Sequence, residues 1–465
     1  MAKRATVLFF TNAELSQSAV NLATAAELSL DPGYDVHFAT FGALGRDLIP
    51  QGVTFHVVPG RSTKEIVLSK GLEFMPRHPP GVQGALQSYD EAMLCVMAPH
   101  DDEAEYFAVF DHCVALIKKL DPDLVVSDPL FNGGVDAARF CHKRHVILSP
   151  GSYKDHSLHL QPNLQVAWKW PVVSSGFPTP LPWSYVPSNI YLLYQLIRRS
   201  YFHPRVVSLV KARAARGIPG NLPAKYNFID PAVLYLVPSV RETEFPLDYI
   251  PPNLVGCGPL LQPFVPLEMV DPELARWLRA RPTVIVNMGS HLTYGAQQAG
   301  EVLAALEQFA ARHPDKQVLW KYPDAGLPSA SSASPRVRLL AWLPSTPVAC
   351  LTASAATLAY VHHGGANSFN EAAAAGVPQV ICPVWMDTYD FAARVEHMGI
   401  GVRGNAGSAP AVRADELAAA LDRVAGDSPE AAALRERART LSKALGGPNR
   451  GRKVAAEQIR KFMAS

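Results

Sequence analysis

The stretch 360–390, YVHHGGANSFNEAAAAGVPQVICPVWMDTYD, constrains the fold of this chain more than any other part of it. The apolar run that leads into it is typical of a buried parallel strand. Gly364 and Gly365 then permit a sharp turn and the close approach of a ligand. The alanine-rich run that follows predicts a helix, which Gly376 and Pro378 end, and a second apolar run predicts the next strand. The stretch is therefore predicted to be one strand–helix–strand unit of a parallel sheet.

The start of this predicted helix has the chemistry of an anion site. A helix N-terminus behind a Gly-Gly turn presents free N–H groups and the positive end of the helix dipole, which suits a phosphate group. Asn367 and Ser368 are favourable N-cap and first-turn residues. His363 can add a hydrogen-bond donor or a positive charge beside them. We therefore expect an anion site here, with a nucleotide diphosphate as its occupant.

The length of the chain and the alternation of its segments predict two α/β domains. At 465 residues the chain is too long for one ordinary core. Strand-like runs alternate with helical segments in two series, as parallel βαβ units require. We expect an N-terminal Rossmann-like domain at 1–245 and a C-terminal one at 271–450. A proline-rich interdomain linker is expected at 246–270, and a C-terminal helix at 451–465 that can pack back on the N-terminal domain.

The composition excludes several classes of protein. With 48% hydrophobic and 18% charged residues the chain is globular, and its net charge of +2 gives no general case for binding nucleic acid or an anionic membrane. The sequence has no apolar segment of transmembrane length, and its first apolar run is too short for a secretory signal. The six cysteines are widely spaced without a CxxC pair, which is typical of reduced thiols. The expected location is the cytoplasm.

One segment, 152–230, does not follow the alternation. It interleaves many prolines with large aromatic side chains, namely Trp168, Trp170, Trp183, Tyr185, Tyr191, Tyr194, Tyr201, Phe202 and Tyr226. Such a segment can line an apolar pocket for a bulky ligand. It can equally pack an inserted helical hairpin onto the N-terminal domain, and the residues alone do not separate these two interpretations.

Three motifs together carry a family resemblance: Trp342-Leu343-Pro344, then HGGANSFNEAAAAGVP from His363, then PVWMD, which ends at Asp387. They resemble the donor-binding signature of the UDP-dependent glycosyltransferases of the small-molecule type (family 1), and most of all that of soluble fungal members. The resemblance implies the GT-B fold, in which two Rossmann-like domains face each other across a cleft. It implies an inverting enzyme that moves a sugar, in the first instance glucose, from a UDP-sugar to a hydroxyl of a small lipophilic acceptor such as a phenol, polyketide or terpenoid. It implies no metal and no cofactor besides this UDP-sugar.

The resemblance assigns five residues to the nucleoside and the sugar. Trp342 matches the indole that stacks on uracil, although a tryptophan at a strand end can also belong to the core. Ser345 stands where many relatives have a glutamine that contacts the ribose. Glu371 matches the carboxylate that accepts from the ribose hydroxyls, whereas a lone glutamate in an alanine helix usually faces solvent. Asp387 matches the carboxylate that binds the transferred sugar, and Thr388 replaces a glutamine that contacts this sugar in plant glucosyltransferases.

The resemblance also defines the surroundings of the diphosphate. The matching residues are His363, Gly365, Asn367 and Ser368 around the helix start, and Gly289 and Ser290 in a second turn after a strand. They coincide with the anion site that the residues predict on their own.

The residue that accepts the proton of the acceptor hydroxyl departs from the family pattern. Relatives place a histidine in the loop after the first strand, and here Leu15 stands at that position. Asp128, in LVVSDPL, matches the carboxylate that orients the histidine. Glu14 can replace the base, because a carboxylate in a desolvated cleft can titrate near neutral pH; the plainer interpretation is an exposed loop residue. The base is therefore expected to be Glu14 or a histidine from another loop.

Two other functions stay open on the sequence alone. The chain can be a catalytically impaired relative that binds a nucleotide sugar, or a GT-B enzyme that epimerises or hydrolyses the nucleotide sugar. The aromatic segment argues for an acceptor pocket and so against the second of these. Acidic runs at 100–103 and 121–123 contain residues of metal-ligand type, but we interpret them as a helix-terminal charge cluster and a turn, and we predict no metal site.

Overall fold

The computed structural model describes residues 4–100, 102–224, 229–322 and 334–465. Asp101, in the first acidic run, and Tyr226, in the aromatic segment, lie outside these ranges. Within them, two wholly parallel sheets form the frame of the molecule. The prediction of two parallel α/β units is confirmed.

The first sheet has seven strands in the order β3-β2-β1-β4-β5-β6-β7. These strands are β1 (Ala5–Phe10), β2 (Tyr34–Phe41), β3 (Val53–Val58), β4 (Leu124–Ser127), β5 (His145–Leu148), β6 (Leu234–Val237) and β7 (Leu254–Gly256). The central strands are continuous buried apolar runs, as a parallel sheet with both faces covered requires. Phe10 lies beside Ser127, so the loops after β1 and β4 emerge together. This edge brings Glu14 close to Asp128.

The second sheet has six strands in the order β10-β9-β8-β11-β12-β13. These strands are β8 (Thr283–Asn287), β9 (Gln317–Lys321), β10 (Val337–Leu340), β11 (Thr357–His362), β12 (Gln379–Ile381) and β13 (Gly401–Arg403). Val361 lies beside Val286, so the turns after β8 and β11 are neighbours at the carboxyl edge. Ligands of open parallel sheets bind at this edge.

The helices connect successive strands. In chain order, the α-helices of the described residues are α1 (Leu15–Ser29), α2 (Thr63–Ser69), α3 (Val82–Ser88), α4 (Leu94–Met97), α5 (Glu103–Leu120), α6 (Asn132–Phe140), α7 (Tyr153–Ser157), α8 (Gln165–Trp168), α9 (Val186–Leu196), α10 (Pro204–Ala215), α11 (Leu267–Val270), α12 (Pro272–Ala280), α13 (Ala296–Arg312), α14 (Pro347–Thr352), α15 (Ala366–Ala375), α16 (Thr388–Met398), α17 (Ala414–Ala425), α18 (Pro429–Leu445) and α19 (Arg450–Ala464).

The range 246–270, predicted as the interdomain linker, contributes a strand to the first sheet. In β7, Val255 pairs with Leu236 of β6, and the short helix α11 closes the range. This strand was not predicted from the sequence, because three residues among prolines show no hydrophobic periodicity.

The last helix, α19, packs on the first sheet. Ala455, Ala456 and Ile459 are fully buried in the core of that sheet. Arg452 pairs with Glu27 of α1 at 3.1 Å. The chain therefore ends against the domain in which it begins.

The aromatic segment forms α7 to α10 and packs mainly against its own domain. Trp170 is 1% exposed in a cluster with Tyr153 and Phe245. Trp168 stacks on Trp183, with ring centroids 5.9 Å apart and an angle of 4° between the planes. Packing therefore accounts for Trp170, whereas Trp183, Tyr194 and Phe202 are more than half exposed.

Two further properties concern the helices and the cysteines. None of the helices in the described residues is both long and apolar enough to cross a membrane. All six cysteines are free thiols, and four of them are buried.

Candidate active site

The turn after β11 organises the side of the candidate site that belongs to the second sheet. Gly364 has φ +95°, a conformation that favours glycine, and its N–H donates to His362 Nδ1 at 3.0 Å. Helix α15 begins at Ala366 with Gly365 as its N-cap. The prediction of Asn367 as a cap was wrong, because the chain enters the helix two residues earlier, and Asn367 belongs to the first turn.

His363 lies between two glycines that leave no room for a side chain. A Cβ at Gly365 would come within 2.6 Å of His363 Nε2, and a Cβ at Gly289 within 2.7 Å of its Cε1. His363 Nδ1 is buried and has no hydrogen-bond partner among the described residues. Burial, with the nearby His362, His291 and Lys321, lowers the pKa of His363 to about 3. The imidazole is therefore neutral near pH 7 and offers a hydrogen bond rather than a positive charge.

The first turn of α15 reaches both the opposite domain and its own core. Asn367 Nδ2 donates to the carbonyl oxygen of Leu15 at 3.0 Å. Ser368 is 7% exposed and hydrogen-bonds Tyr360, whose hydroxyl also accepts from Asn287 Nδ2 at 2.9 Å. Tyr360 thus ties the start of α15 to the ends of β8 and β11.

Two carboxyl groups continue this side of the cleft. Burial raises the pKa of Glu371 to about 8, so this residue does not simply face solvent. Asp387 precedes α16, and burial together with repulsion from Asp155 and Asp390 raises its pKa to about 7. Both carboxyls are poised to ionise when a ligand supplies hydrogen-bond donors.

Thr388 does not present its hydroxyl to the cleft. It is fully buried, and its Oγ1 accepts from the backbone N–H groups of Val384 and Trp385, each at 3.0 Å. The side chain stabilises the turn that carries Asp387.

Trp342 lies at the outer end of the same side. It is 60% exposed, so it is not a core tryptophan. Lys321 Nζ lies 4.0 Å from the centroid of its ring. Ser345 is half-buried shortly before α14, and Ser290 is exposed in the turn after β8. The exposed indole provides a flat surface beside the turn at Gly289.

On the opposite side, Asp128 is held at the end of β4. It is fully buried and accepts from Leu130 N at 2.9 Å and from Asn12 Nδ2 at 3.4 Å. Burial raises the pKa of Asp128 to about 6, with a smaller contribution from Glu14. Asn12 therefore holds the carboxyl that was expected to orient a histidine.

Glu14 and Leu15 begin α1. Glu14 is 6% exposed, and its Oε1 accepts from the backbone N of Lys64 at 2.8 Å. It is not an exposed loop residue. Leu15 is 37% exposed, and its carbonyl oxygen accepts the hydrogen bond from Asn367 of α15.

A depression of about 330 Å³ opens beside Asn12 at the same edge. Its lining combines apolar and polar side chains: Phe41, Ile66, Val109, Phe131, Arg61, His100 and Asn132. The aromatic segment contributes none of this lining. His100, a histidine of another loop, lines the same depression as Asn12, and burial lowers its pKa.

Polar contacts join the two domains beside these groups. Lys154 Nζ pairs with Asp390 Oδ2 at 2.5 Å, and both side chains are largely buried. His78 Nε2 accepts from the backbone N of Met386 at 2.8 Å. Arg394 of α16 pairs with Glu244. These contacts hold α16 and the turn at Asp387 against the first domain.

Sequence reasoning missed four residues of this arrangement: Asn12, His78, His291 and Lys321. A lysine at the end of an apolar strand was the one visible signal, since lysine is rarely buried unless it is paired. The other three are recognised only through contacts between distant segments.

The acidic runs have structural roles. Asp102 caps α5 by accepting from Ala104 N, and Asp121 ends the same helix in a left-handed conformation. No group of three His, Cys, Asp or Glu side chains placed to hold a metal occurs within the ranges given above.

Solved structures define the class of the fold. Phytolacca americana UGT2, complexed with UDP-2fluoro-glucose and pterostilbene, aligns over 99% of this chain and 100% of its own, with a TM-score of 0.66 and 16% identity. The calicheamicin glycosyltransferase CalG4 aligns over 100% and 99%, with a TM-score of 0.63 and 18% identity. The molecule has the GT-B fold.

Related sequences define the family. Glycosyltransferase sdnJ of Sordaria araneosa is 35% identical over 438 residues, which cover 87% of this chain and 84% of that protein. The human 2-hydroxyacylsphingosine 1-beta-galactosyltransferase is 26% identical over 426 residues, covering 83% and 71%. The family described as "Erythromycin biosynthesis protein CIII-like, C-terminal domain" matches residues 301–448. The chain belongs to the UDP-dependent glycosyltransferases of family 1.

Proposed function

We propose that this enzyme transfers glucose from UDP-glucose to a hydroxyl of a small lipophilic acceptor, such as a phenol, polyketide or terpenoid, with inversion. The observation that carries the proposal is the contact between Asn367 and Leu15 at 3.0 Å. It sets the N-terminus of α15, a favourable place for a diphosphate, against the loop that holds Glu14. A donor in one domain and an acceptor in the other would meet at this contact.

The proposed donor site follows the chemistry of the side chains. Uracil stacks on Trp342, with Ser345 near the ribose. The ribose hydroxyls donate to Glu371, and the hydroxyls of the transferred sugar donate to Asp387. The diphosphate lies at the start of α15, flanked by His363, Asn367 and Ser368 and by the turn at Gly289 and Ser290. Because the Thr388 hydroxyl is turned into the protein, selection of the sugar rests mainly on Asp387.

The proposed acceptor site is the depression beside Asn12. Its mixture of apolar and polar walls suits a lipophilic molecule with hydroxyl groups. The solved relative that contains UDP-2fluoro-glucose and pterostilbene is consistent with such a pair of ligands. Free thiols throughout the chain are consistent with action in the cytoplasm.

In the proposed reaction Glu14 takes the proton of the acceptor hydroxyl. The acceptor oxygen attacks the anomeric carbon from the face opposite UDP, and the bond between this carbon and the β-phosphate oxygen breaks. The electron pair leaves with UDP, while His363 and the N–H groups of α15 stabilise the new charge. Asp128 acts through Asn12 and the surrounding loop, not as the base. No metal or cofactor enters this scheme.

A panel of donors and acceptors tests this proposal. The enzyme is incubated with UDP-glucose, UDP-galactose or UDP-glucuronic acid and a set of phenols and terpenoid alcohols, and the products are analysed by NMR. We expect a β-glucoside from UDP-glucose, whose own linkage is α. An α-glucoside would contradict the proposed inversion. A preference for another donor would contradict glucose as the transferred sugar. Conversion of the donor without an acceptor would favour an epimerase or hydrolase.

A further inference from the structure

Lys321, the last residue of β9, is a buried lysine without a counter-charge. It is 5% exposed, and its Nζ donates to the carbonyl oxygen of Gly289 at 2.6 Å. Across the described residues, no carboxylate pairs with it. Burial lowers the pKa of Lys321 to about 8. The ammonium form therefore still predominates near neutral pH.

Lys321 lies at the centre of the proposed donor site. Its Nζ is 4.0 Å from the ring centroid of Trp342, and its charge contributes to the lowered pKa of His363. It also lines a small pocket whose other walls include Leu292, Tyr294 and Trp320. The residue thus stands between the expected nucleoside surface and the expected diphosphate site.

A buried ammonium group is costly unless a negative charge accompanies it. The carbonyl of Gly289 supplies one hydrogen bond, but an ammonium has three donors. The neighbouring histidines do not help, because burial also lowers the pKa of His291, to about 4. The missing charge is best supplied by a ligand.

We propose that Lys321 is the counter-charge for the diphosphate of the nucleotide donor and, after transfer, for the leaving nucleoside diphosphate. The lysine keeps its bond to Gly289 and directs its remaining donors toward the phosphate oxygens. This inference rests on the proposed function. It adds a cation to a site whose imidazole is neutral, and it explains why a lysine is retained at a buried strand end.

A purely structural role makes a different prediction. If Lys321 only supported the indole of Trp342 and the turn at Gly289, its loss would weaken every ligand that stacks on the indole. A counter-charge instead distinguishes UDP from uridine, which stacks in the same way but carries no phosphate.

The test compares UDP and uridine binding by isothermal titration calorimetry in wild type, Lys321→Met and Lys321→Arg. Loss of a charge-assisted contact predicts that Lys321→Met weakens UDP binding by about 30-fold and uridine binding by less than about 3-fold. Lys321→Arg keeps the charge and is expected to bind UDP within about 5-fold of wild type. Should the methionine variant fail to fold, Lys321→Gln makes the same comparison.

Lys316→Met is the matched control. Lys316 is also buried, just before the same strand, but it pairs with Asp427 at 2.8 Å. Because the Asp427 side chain is 75% exposed, water solvates it once Lys316 is replaced, and we expect an unchanged ratio of UDP to uridine affinity. Lys321→Met removes an unpaired charge and should leave the melting temperature of the free protein at or above that of wild type.

Three results overturn the inference or its basis. Unchanged UDP binding in Lys321→Met, or an equal loss of UDP and uridine binding, rejects the counter-charge role while leaving the proposed function intact. A wild-type enzyme that binds neither UDP nor uridine rejects the proposed function itself.

Discussion

Asn367 Nδ2 donates a hydrogen bond to the carbonyl oxygen of Leu15 at 3.0 Å, and this bond joins the first turn of α15 to the first turn of α1. The bond connects the proposed diphosphate site with the loop of the proposed base. The residue that departs from the family pattern therefore still contributes its backbone to the cleft. Glu14, the preceding residue, is held by Lys64 N at 2.8 Å.

If Glu14 is the base, Glu14→Gln keeps the shape of the side chain and removes its ability to take a proton. We expect kcat to fall by about 10²–10⁴-fold, with UDP affinity within about 3-fold of wild type. Steady-state kinetics and calorimetry measure the two quantities. Glu242→Gln, at an exposed glutamate of the same domain, serves as the control and should match wild type. If Glu14→Gln keeps the wild-type kcat, Glu14 is not the base, and His100 or another group takes the proton.

Leu15→His restores the residue type that relatives carry. Because Glu14 already fills the role of base in our account, we expect kcat to rise by less than about 3-fold. The same kinetic assay measures it. A gain of a hundredfold or more would instead identify the enzyme as an impaired relative that lacks its base.

The sequence predicted the frame of the molecule because strands buried in parallel sheets must be apolar. The predicted helix end at Gly376 is where the structure has it, since this residue is the C-cap of α15. β7 was missed, because three residues have no periodicity to detect. Its place depends on pairing with β6, which is a tertiary contact.

The candidate site was predictable only where one local motif carries it. His363 and Asn367 lie in one turn, and the spacing of the motif identified them. Lys321 and Asn12 contact residues that are distant in the sequence, so no local sequence pattern predicts their place in the site. Thr388 occupies the expected position along the chain, but its rotamer, set by the turn at Val384 and Trp385, decides what the hydroxyl contacts.

The packing around His363 leads to a prediction for Gly365. A methyl group in Gly365→Ala would lie 2.6 Å from His363 Nε2 and displace the ring, so we expect UDP affinity to fall by about 10-fold or more. Gly295→Ala is the control: Gly295 is also an N-cap, of α13, and a Cβ there meets no atom within 4 Å. Calorimetry should find normal UDP binding in this control. Equal affinities in the two variants would show that the position of His363 does not govern UDP binding.

The two carboxyls of the donor side should separate the nucleoside from the sugar. In our account Glu371→Gln weakens the binding of both UDP and UDP-glucose, because both ligands carry the ribose. Asp387→Asn leaves the affinity for UDP within about 3-fold of wild type and raises KM for UDP-glucose by about 10-fold or more. Competition by UDP in the kinetic assay measures both effects. Loss of UDP binding in Asp387→Asn would contradict the assignment of Asp387 to the sugar.

Asp128 makes stability depend on pH. Burial raises its pKa from an ordinary value of 3.8 to about 6, so the folded state resists ionisation more than the unfolded state does. Ionisation of Asp128 therefore lowers the free energy of unfolding. This loss is absent below about pH 4 and complete above about pH 6, where it is on the order of 3 kcal/mol. Asp128→Asn should therefore gain stability relative to wild type as pH rises through this window.

Denaturant unfolding of wild type and Asp128→Asn at pH 4.5 and at pH 7.5 measures this effect. Any hydrogen bond that Asp128→Asn loses at both pH values changes the free energy of unfolding by the same amount at each. This contribution therefore cancels when the effects of the substitution at the two pH values are subtracted. A difference that stays the same at both pH values would show that the carboxyl is not penalised by burial.

The most direct measurement follows the label of UDP-[14C]glucose when the enzyme is supplied with a panel of phenols and without any acceptor. Our account predicts label in an acceptor glycoside, formed only when acceptor is present and matched by an equal amount of UDP. Label released as free glucose at the same rate with and without acceptor would contradict transfer. UDP-glucose that stays intact with every acceptor, together with no binding of UDP, would contradict the account as a whole.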